Sequence, residues 1–303
     1  MMRYLSLTAS EIKKLNSKEF IESIKNSEGR LLVSENIVIL DPLLKSITNS
    51  ELAAAMGADI LLLNLFDVQN PEIKGMPKNV KPYELIKKIK EFTGRSVGVN
   101  LEPVDPEFCE NNNDFWKMTK GRLASVENVK KLKDFGVDFI VLTGNPGNGI
   151  TNKEVVKCTR QIKNIFKNEI VIFAGKMHGA GMGDAILKDE EIKELKHAGA
   201  DVILIPAPGT IPGTTVDLIS KKINLIHDLG LLSMTSIGTS QEGADLQTIK
   251  TIALNAKMCG TDIHHIGDTG YPGIAVPENI TSYSIAIKGI RHTYFRMACS
   301  IKR

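Results

Sequence analysis

The feature that most constrains the fold is a pattern that recurs four times: glycine, any residue, aspartate and then an apolar run. A glycine in this position suits the left-handed conformation that ends a helix. An apolar run without alternation is typical of a parallel strand that is buried on both faces. Each copy therefore predicts the end of a helix and the start of a buried strand. The copies are GADILLL from Gly57, GVDFIVL from Gly136, GADVILI from Gly199 and GTDIHHI from Gly260.

Four further strand candidates bring the predicted total to eight. Helical spacing follows each strand, and eight alternating units in 303 residues match the size and order of a (β/α)8 barrel. The main alternative, an open doubly wound sheet, usually has a G-x-G-x-x-G turn after its first strand, and the turn here lacks glycine. We predict an α/β fold, a (β/α)8 TIM barrel over residues 30–303, after a helical extension over residues 1–29. The added strands are RLLVSEN from Arg30, RSVGVNLE from Arg95, EIVIFAGK from Glu169 and LLSMTSIG from Leu231.

The charge, the cysteines and the apolar runs of the sequence argue against several classes of function. The net charge is +3, and the basic residues are dispersed along amphipathic helices, so no nucleic-acid partner is expected. The four cysteines form no C-x-x-C pair and predict neither a zinc site nor a disulfide framework. No apolar run has the length of a signal peptide core or a membrane span. We expect a soluble, cytoplasmic protein whose N-terminal helices cover the bottom of the barrel or join subunits of a homo-oligomer.

Strand alternation identifies the side chains that face the barrel axis. In the third strand Asn100 and Glu102 share one parity, and in the fifth strand Ala174 and Lys176 share one parity. On this register we expect Glu102 and Lys176 to face one another across the mouth of the barrel. The same argument points His265 toward the axis and His264 toward the helices. The predicted catalytic residues are Lys176, Glu102, His178 and His265.

The loops after the strands supply candidates for substrate binding, since barrel active sites lie at that end. The loops after strands seven and eight are rich in glycine and hydroxyl groups, which predicts a site for a phosphate or carboxylate group. Turn chemistry is the alternative explanation for Asn145 and Asn148 in GNPGNG. The predicted substrate-binding residues are Asn64, Asn100, Thr143, Asn145, Gly238, Thr239, Ser240, Gly267, Thr269 and Gly270.

Several roles are open for the charged candidates. Three roles fit Lys176: it binds an anionic substrate by its charge, it is a Schiff-base nucleophile, or it forms a structural ion pair with Glu102. Three roles likewise fit Glu102: a general base, a metal ligand, or the ion-pair partner of Lys176. His178 lies in a glycine-rich loop as a mobile acid or base, or as an exposed residue. Asp67, Glu102 and Asp268 are the candidate ligands for Mg²⁺, although aspartate is also a common turn residue.

Six segments together resemble a family of bacterial barrel proteins of unassigned activity, whose members are called phosphoenolpyruvate phosphonomutase-like or haloacid dehalogenase-like. Phosphonomutase-type barrels gather carboxylates around Mg²⁺ and place a lysine loop over the substrate, which implies comparable places for Asp67, Glu102 and Lys176. Haloacid dehalogenase chemistry needs a D-x-D motif, and no two aspartates here stand two positions apart. The segments are SENIV, ITNSELAAAMGADILLLNLFDVQNP, VGVNLEPVD, FAGKMHGAG, SIGTSQEGAD and GTDIHHIGDTGY.

The resulting hypothesis is an enzyme of lyase or isomerase type that acts on a small phosphorylated or carboxylated metabolite. Lys176 would stabilise an enolate or oxyanion, and Glu102 would move the proton with help from His178 or His265. One alternative is a class I aldolase that forms an imine at Lys176. Another is a non-catalytic metabolite-binding or assembly protein built on a barrel scaffold.

Overall fold

The structure, a computed structural model, describes residues 2–105, 118–145, 149–178 and 186–303. Eight parallel strands close into a barrel in chain order, which confirms the predicted (β/α)8 fold. Every segment predicted as a strand contains one. The strands are β1 Leu31–Ile37, β2 Ile60–Asn64, β3 Ser96–Leu101, β4 Phe139–Leu142, β5 Val171–Gly175, β6 Val202–Pro206, β7 Leu232–Ile237 and β8 Ile263–Ile266.

Helices surround the barrel, and several of them begin at a residue whose side chain caps the first turn. Side chains of Thr151, Thr215 and Asp245 accept hydrogen bonds from the first turns of the helices they precede. No helix in these ranges has both the length and the apolarity needed to cross a bilayer. The α-helices are α1 Ala9–Ile12, α2 Ser17–Lys25, α3 Asn49–Ala55, α4 Leu85–Thr93, α5 Val126–Phe135, α6 Asn152–Phe166, α7 Asp189–Ala198, α8 Val216–Asp228, α9 Leu246–Met258 and α10 Pro277–Ala298.

The glycines of the four-fold pattern adopt the conformation that their position predicts. Their φ angles are 100° at Gly57, 88° at Gly136, 97° at Gly199 and 87° at Gly260. These values lie in the region that favours glycine, so each copy lets the chain leave a helix and turn into a strand.

The aspartates of the pattern have a structural role that alternation alone does not predict. Each aspartate carboxylate accepts a hydrogen bond from a backbone N–H group of the preceding strand, which we call an aspartate link. Even-numbered strands are thereby tied to the odd-numbered strands before them, and the barrel consists of four linked strand pairs. The links are Leu32 N to Asp59 at 2.9 Å, Val97 N to Asp138 at 2.8 Å, Ile172 N to Asp201 at 2.9 Å and Ser233 N to Asp262 at 2.8 Å.

The interior of the barrel is filled by large side chains, and the N-terminal segment closes its lower end. The rings of Phe139 and Phe173 stack inside the barrel with centroids 4.6 Å apart, and Phe20 from α2 stacks on Phe139 at 5.8 Å. Tyr4 and Ile24 belong to the same buried cluster. The first residues of the chain therefore complete the barrel core from below.

The predicted register of β5 is wrong. Phe173 belongs to the cluster inside the barrel, whereas Ile172 and Ala174 pack in the cluster between the strands and the helices. The predicted register places Ala174 toward the axis because it shares the parity of Lys176. The bulky side chain of Phe173 faces the axis instead, because barrels of this type have a packed interior that large side chains fill.

Candidate active site

A cavity of about 270 Å³ lies at the carboxyl end of the barrel strands, where barrel enzymes place their chemistry. Eleven of the predicted site residues line this mouth cavity: Asn64, Asn100, Glu102, Thr143, Asn145, His178, Gly238, Thr239, Gly267, Asp268 and Thr269. Three charged residues that neither strand alternation nor the loop patterns predict line it as well: Glu35, Arg122 and Glu242.

The best-defined pair at this end of the barrel is formed by Glu35 and His265. Glu35 Oε2 lies 3.0 Å from His265 Nε2, and both side chains are buried. Burial, together with the negative charges of Glu242 and Glu102, raises the pKa of Glu35 to about 8. Burial lowers the pKa of His265 to about 4, against the opposing effect of Asp268 and Glu242. At neutral pH the pair therefore consists of a protonated carboxyl group and an uncharged imidazole.

His265 thus faces the axis as predicted, but it lies below the cavity and reaches it through Glu35. The neighbouring His264 points the other way, with its ring nitrogens 3.1 Å from the Tyr283 hydroxyl and 3.1 Å from the Gly29 carbonyl oxygen. This confirms the expected division, in which His264 is a hydrogen-bonded residue at the strand and helix interface.

Asp268 is the second carboxyl group with an altered pKa. Its carboxylate accepts a hydrogen bond of 2.9 Å from Asn64 Nδ2, while Asn100 Nδ2 donates to Asn64 Oδ1 at 3.2 Å. Burial, with further contributions from the neighbouring carboxyl groups of Glu35 and Glu242, raises the pKa of Asp268 to about 7, and the Asn64 hydrogen bond acts in the opposite direction. β2, β3 and β8 thus contribute one connected polar network at the mouth.

Glu242 occupies the loops that were predicted to bind an anion. The backbone N–H of Thr269 donates to Glu242 Oε1 at 2.9 Å, and the Thr269 hydroxyl also hydrogen-bonds this oxygen. A Cβ on Gly267 would lie 3.0 Å from the same oxygen. Ser240 and Gly270 lie outside the lining of the cavity. This part of the mouth therefore carries a negative charge of its own, which opposes the binding of a phosphate group.

Glu102 forms an ion pair, but its partner is Arg122. Arg122 Nη2 lies 2.8 Å and 2.9 Å from the two carboxylate oxygens, and both side chains are buried. Burial raises the pKa of Glu102, and the positive charge of Arg122 opposes this shift. The pair brings a guanidinium group to the β3 side of the mouth cavity.

Lys176 follows the last residue of β5 and is buried, with its backbone N–H donating to the Leu204 carbonyl oxygen at 3.1 Å. Among the described residues it is Met177 and His178, and not Lys176, that line the mouth cavity. The expected arrangement of Lys176 opposite Glu102 depended on the wrong register of β5.

His178 is half-buried at the rim of the cavity. A Cβ on Gly238 would lie 3.4 Å from His178 Cδ2, so the imidazole ring lies against the loop after β7. Burial lowers the pKa of His178, while the charge of Glu242 acts in the opposite direction. An uncharged imidazole at neutral pH can accept or donate a proton at this position.

Buried polar atoms in the lining of the cavity and beneath it hydrogen-bond no other described residue. They come from different strands, which lie around most of the barrel. Buried polar groups of this kind cost free energy unless a bound molecule satisfies them. The atoms are Glu35 Oε1, Asn100 Oδ1, Thr143 Oγ1, Ser236 Oγ and His265 Nδ1.

The predicted magnesium ligands do not come together. Asp67 Oδ1 accepts hydrogen bonds from the backbone N–H groups of Gln69 at 2.8 Å and Asn70 at 2.9 Å, so it stabilises a turn. Within the described ranges, no group of three or more His, Cys, Asp or Glu side chains has an arrangement that would hold a metal ion. Asn148, another predicted loop residue, lies outside the described residues.

The backbone is strained at two points of the mouth. Leu65 has a φ of 57°, and Thr239 and Ser240 have φ angles of 63° and 66°, which side chains other than glycine rarely adopt. Leu65 and Thr239 both line the cavity. Such conformations cluster at functional sites, where the surrounding structure enforces them.

The sequence model of the family described as "Domain of unknown function (DUF7916)" matches residues 5–303. No curated protein matches the sequence. Among solved structures, the carboxyl transferase domain of Rhizobium etli pyruvate carboxylase with 3-hydroxypyruvate is similar with a TM-score of 0.54 and 15% identity. The match covers 95% of this chain and 51% of that chain, so this protein spans about half the length of that structure.

Two other structures give weaker matches. Thiamine phosphate pyrophosphorylase from Pyrococcus furiosus has a TM-score of 0.47 and 13% identity over 86% of this chain and 98% of its own. The YdjI aldolase from Escherichia coli K12 has a TM-score of 0.49 and 10% identity over 92% and 95%. At such identities structural similarity concerns the fold alone. The match over residues 5–303 is specific, and the chain belongs to the family of the domain of unknown function DUF7916.

Proposed function

We propose that the mouth cavity is the active site of an enzyme that transfers protons on a small carboxylated metabolite, in a reaction of isomerase or lyase type. The observation that carries this proposal is the burial of Glu35 and Asp268 in one cavity with pKa values of about 8 and about 7. Carboxyl groups whose pKa values lie near neutral pH are suited to general acid and base catalysis.

The two groups have complementary protonation states. Glu35 is mostly protonated at neutral pH and acts as the general acid, with His265 holding its carboxyl group in place. Asp268 is partly ionised and acts as the general base, oriented by Asn64. Asp268 takes a proton from a carbon next to a carbonyl group while Glu35 donates a proton to the carbonyl oxygen. In a hydroxy-keto substrate Asp268 then delivers its proton to the former carbonyl carbon, while Glu35 takes the proton of the other enediol hydroxyl, which completes an isomerisation and restores both groups.

Charge favours a carboxylate over a phosphate as the anionic group of the substrate. Arg122 lines the cavity on the β3 side and offers a guanidinium group that matches a carboxylate. The loops after β7 and β8 contain Glu242, whose charge repels a phosphate dianion more strongly than a carboxylate. The anion subsite of the proposal therefore lies near Arg122 rather than at the loops predicted from sequence.

The experiment is proton exchange in D₂O with a panel of small hydroxy and keto carboxylic acids and their phosphorylated counterparts. We expect ¹H NMR to show deuterium entering the carbon next to the carbonyl group of at least one carboxylic acid. Glu35→Gln should slow this exchange by roughly 10²-fold or more, which is a typical contribution of an acid or base group. Glu22→Gln, an exposed change of the same type on α2, should leave the rate unaltered.

Two outcomes separate the proposal from its alternatives. A substrate that binds without exchange, in both the wild type and Glu35→Gln, supports a non-catalytic binding protein. A permanent adduct at Lys176 after borohydride treatment with a keto acid supports a class I aldolase, because only an imine is trapped in this way. Exchange that persists in Glu35→Gln contradicts the assigned acid.

A further inference from the structure

A second cavity, of about 580 Å³, lies at the end of the barrel opposite the mouth. It forms where α1, the end of α4 and the last residues of the chain meet. A Cβ on Gly94 would lie 2.6 Å from Ala9 Cβ and 3.8 Å from Ile301 Cα, and Ser10 N donates to the Arg303 carbonyl oxygen at 2.7 Å. Three separate parts of the chain therefore build its walls.

The lining of this lower cavity combines apolar walls with basic side chains. Ala9, Ile12 and Ile301 contribute apolar surface, and Ile301 is 48% exposed. The lining contains five basic side chains and one acidic side chain: Lys13, Lys87, Lys90, Arg95, Lys302 and Glu91.

Most of the positive charge lacks a carboxylate partner in the described part of the chain. Lys90 pairs with Asp138 at 2.6 Å, and Glu91 pairs with Lys88 at 2.6 Å. No ion pair among the described residues includes the remaining four basic side chains of the cavity, which are Lys13, Lys87, Arg95 and Lys302.

Arg95 is the most informative of these four. It is 3% exposed, and the partners of its guanidinium hydrogen bonds are backbone carbonyl oxygens, including Ala58 at 2.9 Å and Thr93 at 3.0 Å. The nearby carboxylate of Asp59 already binds both Lys288 and Arg296. A buried charge is costly unless an opposite charge compensates it, so an anion in the lower cavity would stabilise this arrangement.

We propose that the lower cavity binds a small organic anion with an apolar body and a carboxylate or phosphate headgroup. The headgroup lies among the basic side chains, and the apolar body packs against Ile12 and Ile301. The lower cavity is separate from the mouth, and this inference does not depend on the proposed function.

The test is isothermal titration calorimetry with octanoate and, as a headgroup without an apolar body, inorganic phosphate. We expect one octanoate to bind per chain and phosphate to bind more weakly. The triple variant Lys13→Gln, Lys87→Gln, Lys302→Gln should bind octanoate about tenfold more weakly or worse. The triple variant Lys18→Gln, Lys221→Gln, Lys250→Gln removes the same charge from exposed positions elsewhere and should bind like the wild type.

A second variant tests the apolar contact. Ile301→Asp places a negative charge on the wall and should abolish octanoate binding, while Glu35→Gln, at the mouth, should leave it unchanged. Any of three results would overturn the proposal. The two triple variants bind octanoate with equal affinity, Ile301→Asp binds it like the wild type, or the wild type does not bind octanoate at millimolar concentration.

Discussion

Glu35 Oε2 and His265 Nε2 lie 3.0 Å apart beneath the mouth of the barrel, in a contact that joins β1 to β8, the first and last strands. The contact lies where the barrel closes on itself, since Val33 is paired with His265 in the β1–β8 register. Burial and the two further carboxylates of Glu242 and Glu102 all raise the pKa of Glu35, so its protonation is sensitive to pH and to single substitutions. The first three predictions use this sensitivity.

The rate of the proposed reaction should depend on pH in a bell shape. Asp268, with a pKa of about 7, must be ionised to act as the base, and Glu35, with a pKa of about 8, must be protonated to act as the acid. We expect kcat/KM to be highest between about pH 7 and pH 8 and to fall on both sides. Measurement of initial rates from pH 5 to pH 10 checks this, and a flat profile would contradict it.

Glu242→Gln should move the alkaline limb of that profile to lower pH. The negative charge of Glu242 is one of the causes that raise the pKa of Glu35, so its removal makes Glu35 ionise more easily. The measurement is the apparent alkaline pKa of kcat/KM in the variant and the wild type. Glu22→Gln serves as the control on the protein surface, and an equal shift in both variants would argue against a local electrostatic effect.

Glu35→Gln should become more stable than the wild type as the pH rises. The pKa of Glu35 is about 8 in the folded protein and 4.5 in its reference state, so protonation favours the folded state. This stability is fully present below about pH 4.5 and is lost as the pH rises through 8, at roughly 1.4 kcal/mol for each pKa unit. Urea unfolding at pH 5 and pH 9 measures the difference, which should be several kcal/mol larger at pH 9. A difference that is the same at both pH values would refute the assignment.

Asp59→Asn should strongly destabilise the protein. The Asp59 carboxylate is buried and binds Arg296 Nε at 3.0 Å, Lys288 Nζ and the backbone N–H of Leu32. Loss of its charge leaves two buried cations without their partner, which costs roughly 3–5 kcal/mol. Chemical denaturation checks this value. Asp217→Asn, an exposed aspartate paired with Lys221, should cost about 0.5 kcal/mol or less.

Gly98→Ala should destabilise the barrel interior. A Cβ at this position would lie 2.3 Å from two ring atoms of Phe139, which is packed between Phe20 and Phe173. Overpacking of this kind costs roughly 1–3 kcal/mol. Combining Gly98→Ala with Phe139→Leu should recover part of the loss, because the smaller side chain leaves room for the added methyl group. A double-mutant cycle of unfolding free energies that shows no coupling would contradict this explanation.

The fold was predictable because its signal is repeated and local. The glycine of each copy determines where a helix ends, and the apolar run after it determines where a strand lies, so neither depends on distant contacts. Asn64, Asn100 and Thr143 were identified correctly at the mouth for the same reason, since alternation along a strand is a local property.

The errors concern residues whose surroundings come from distant parts of the chain. In β5 the size of Phe173 decided the register, because it packs against Phe139 from another strand. Glu242 accepts a hydrogen bond from Thr269, and Arg122 pairs with Glu102. No local sequence pattern predicts either contact. For Glu35 a signal was present, since a charged residue within the apolar strand LLVSENI is unusual for a buried parallel strand.

The aspartate links have a consequence for how the molecule comes apart. Within each strand pair a side chain reinforces the backbone ladder, and at the β2–β3 junction the Tyr4 hydroxyl donates to the Asp59 carbonyl oxygen and accepts from Ser96 N–H. Among the described residues, the weakest lines of the barrel therefore run at the β4–β5 and β6–β7 junctions. The β8–β1 junction is different, because Lys288 and Arg296 from the last helix reach back to Asp59 in the first pair. The last helix thus ties the closing junction to the first strand pair, and local opening, measured by amide hydrogen exchange, should occur at the β4–β5 and β6–β7 junctions before the closing one.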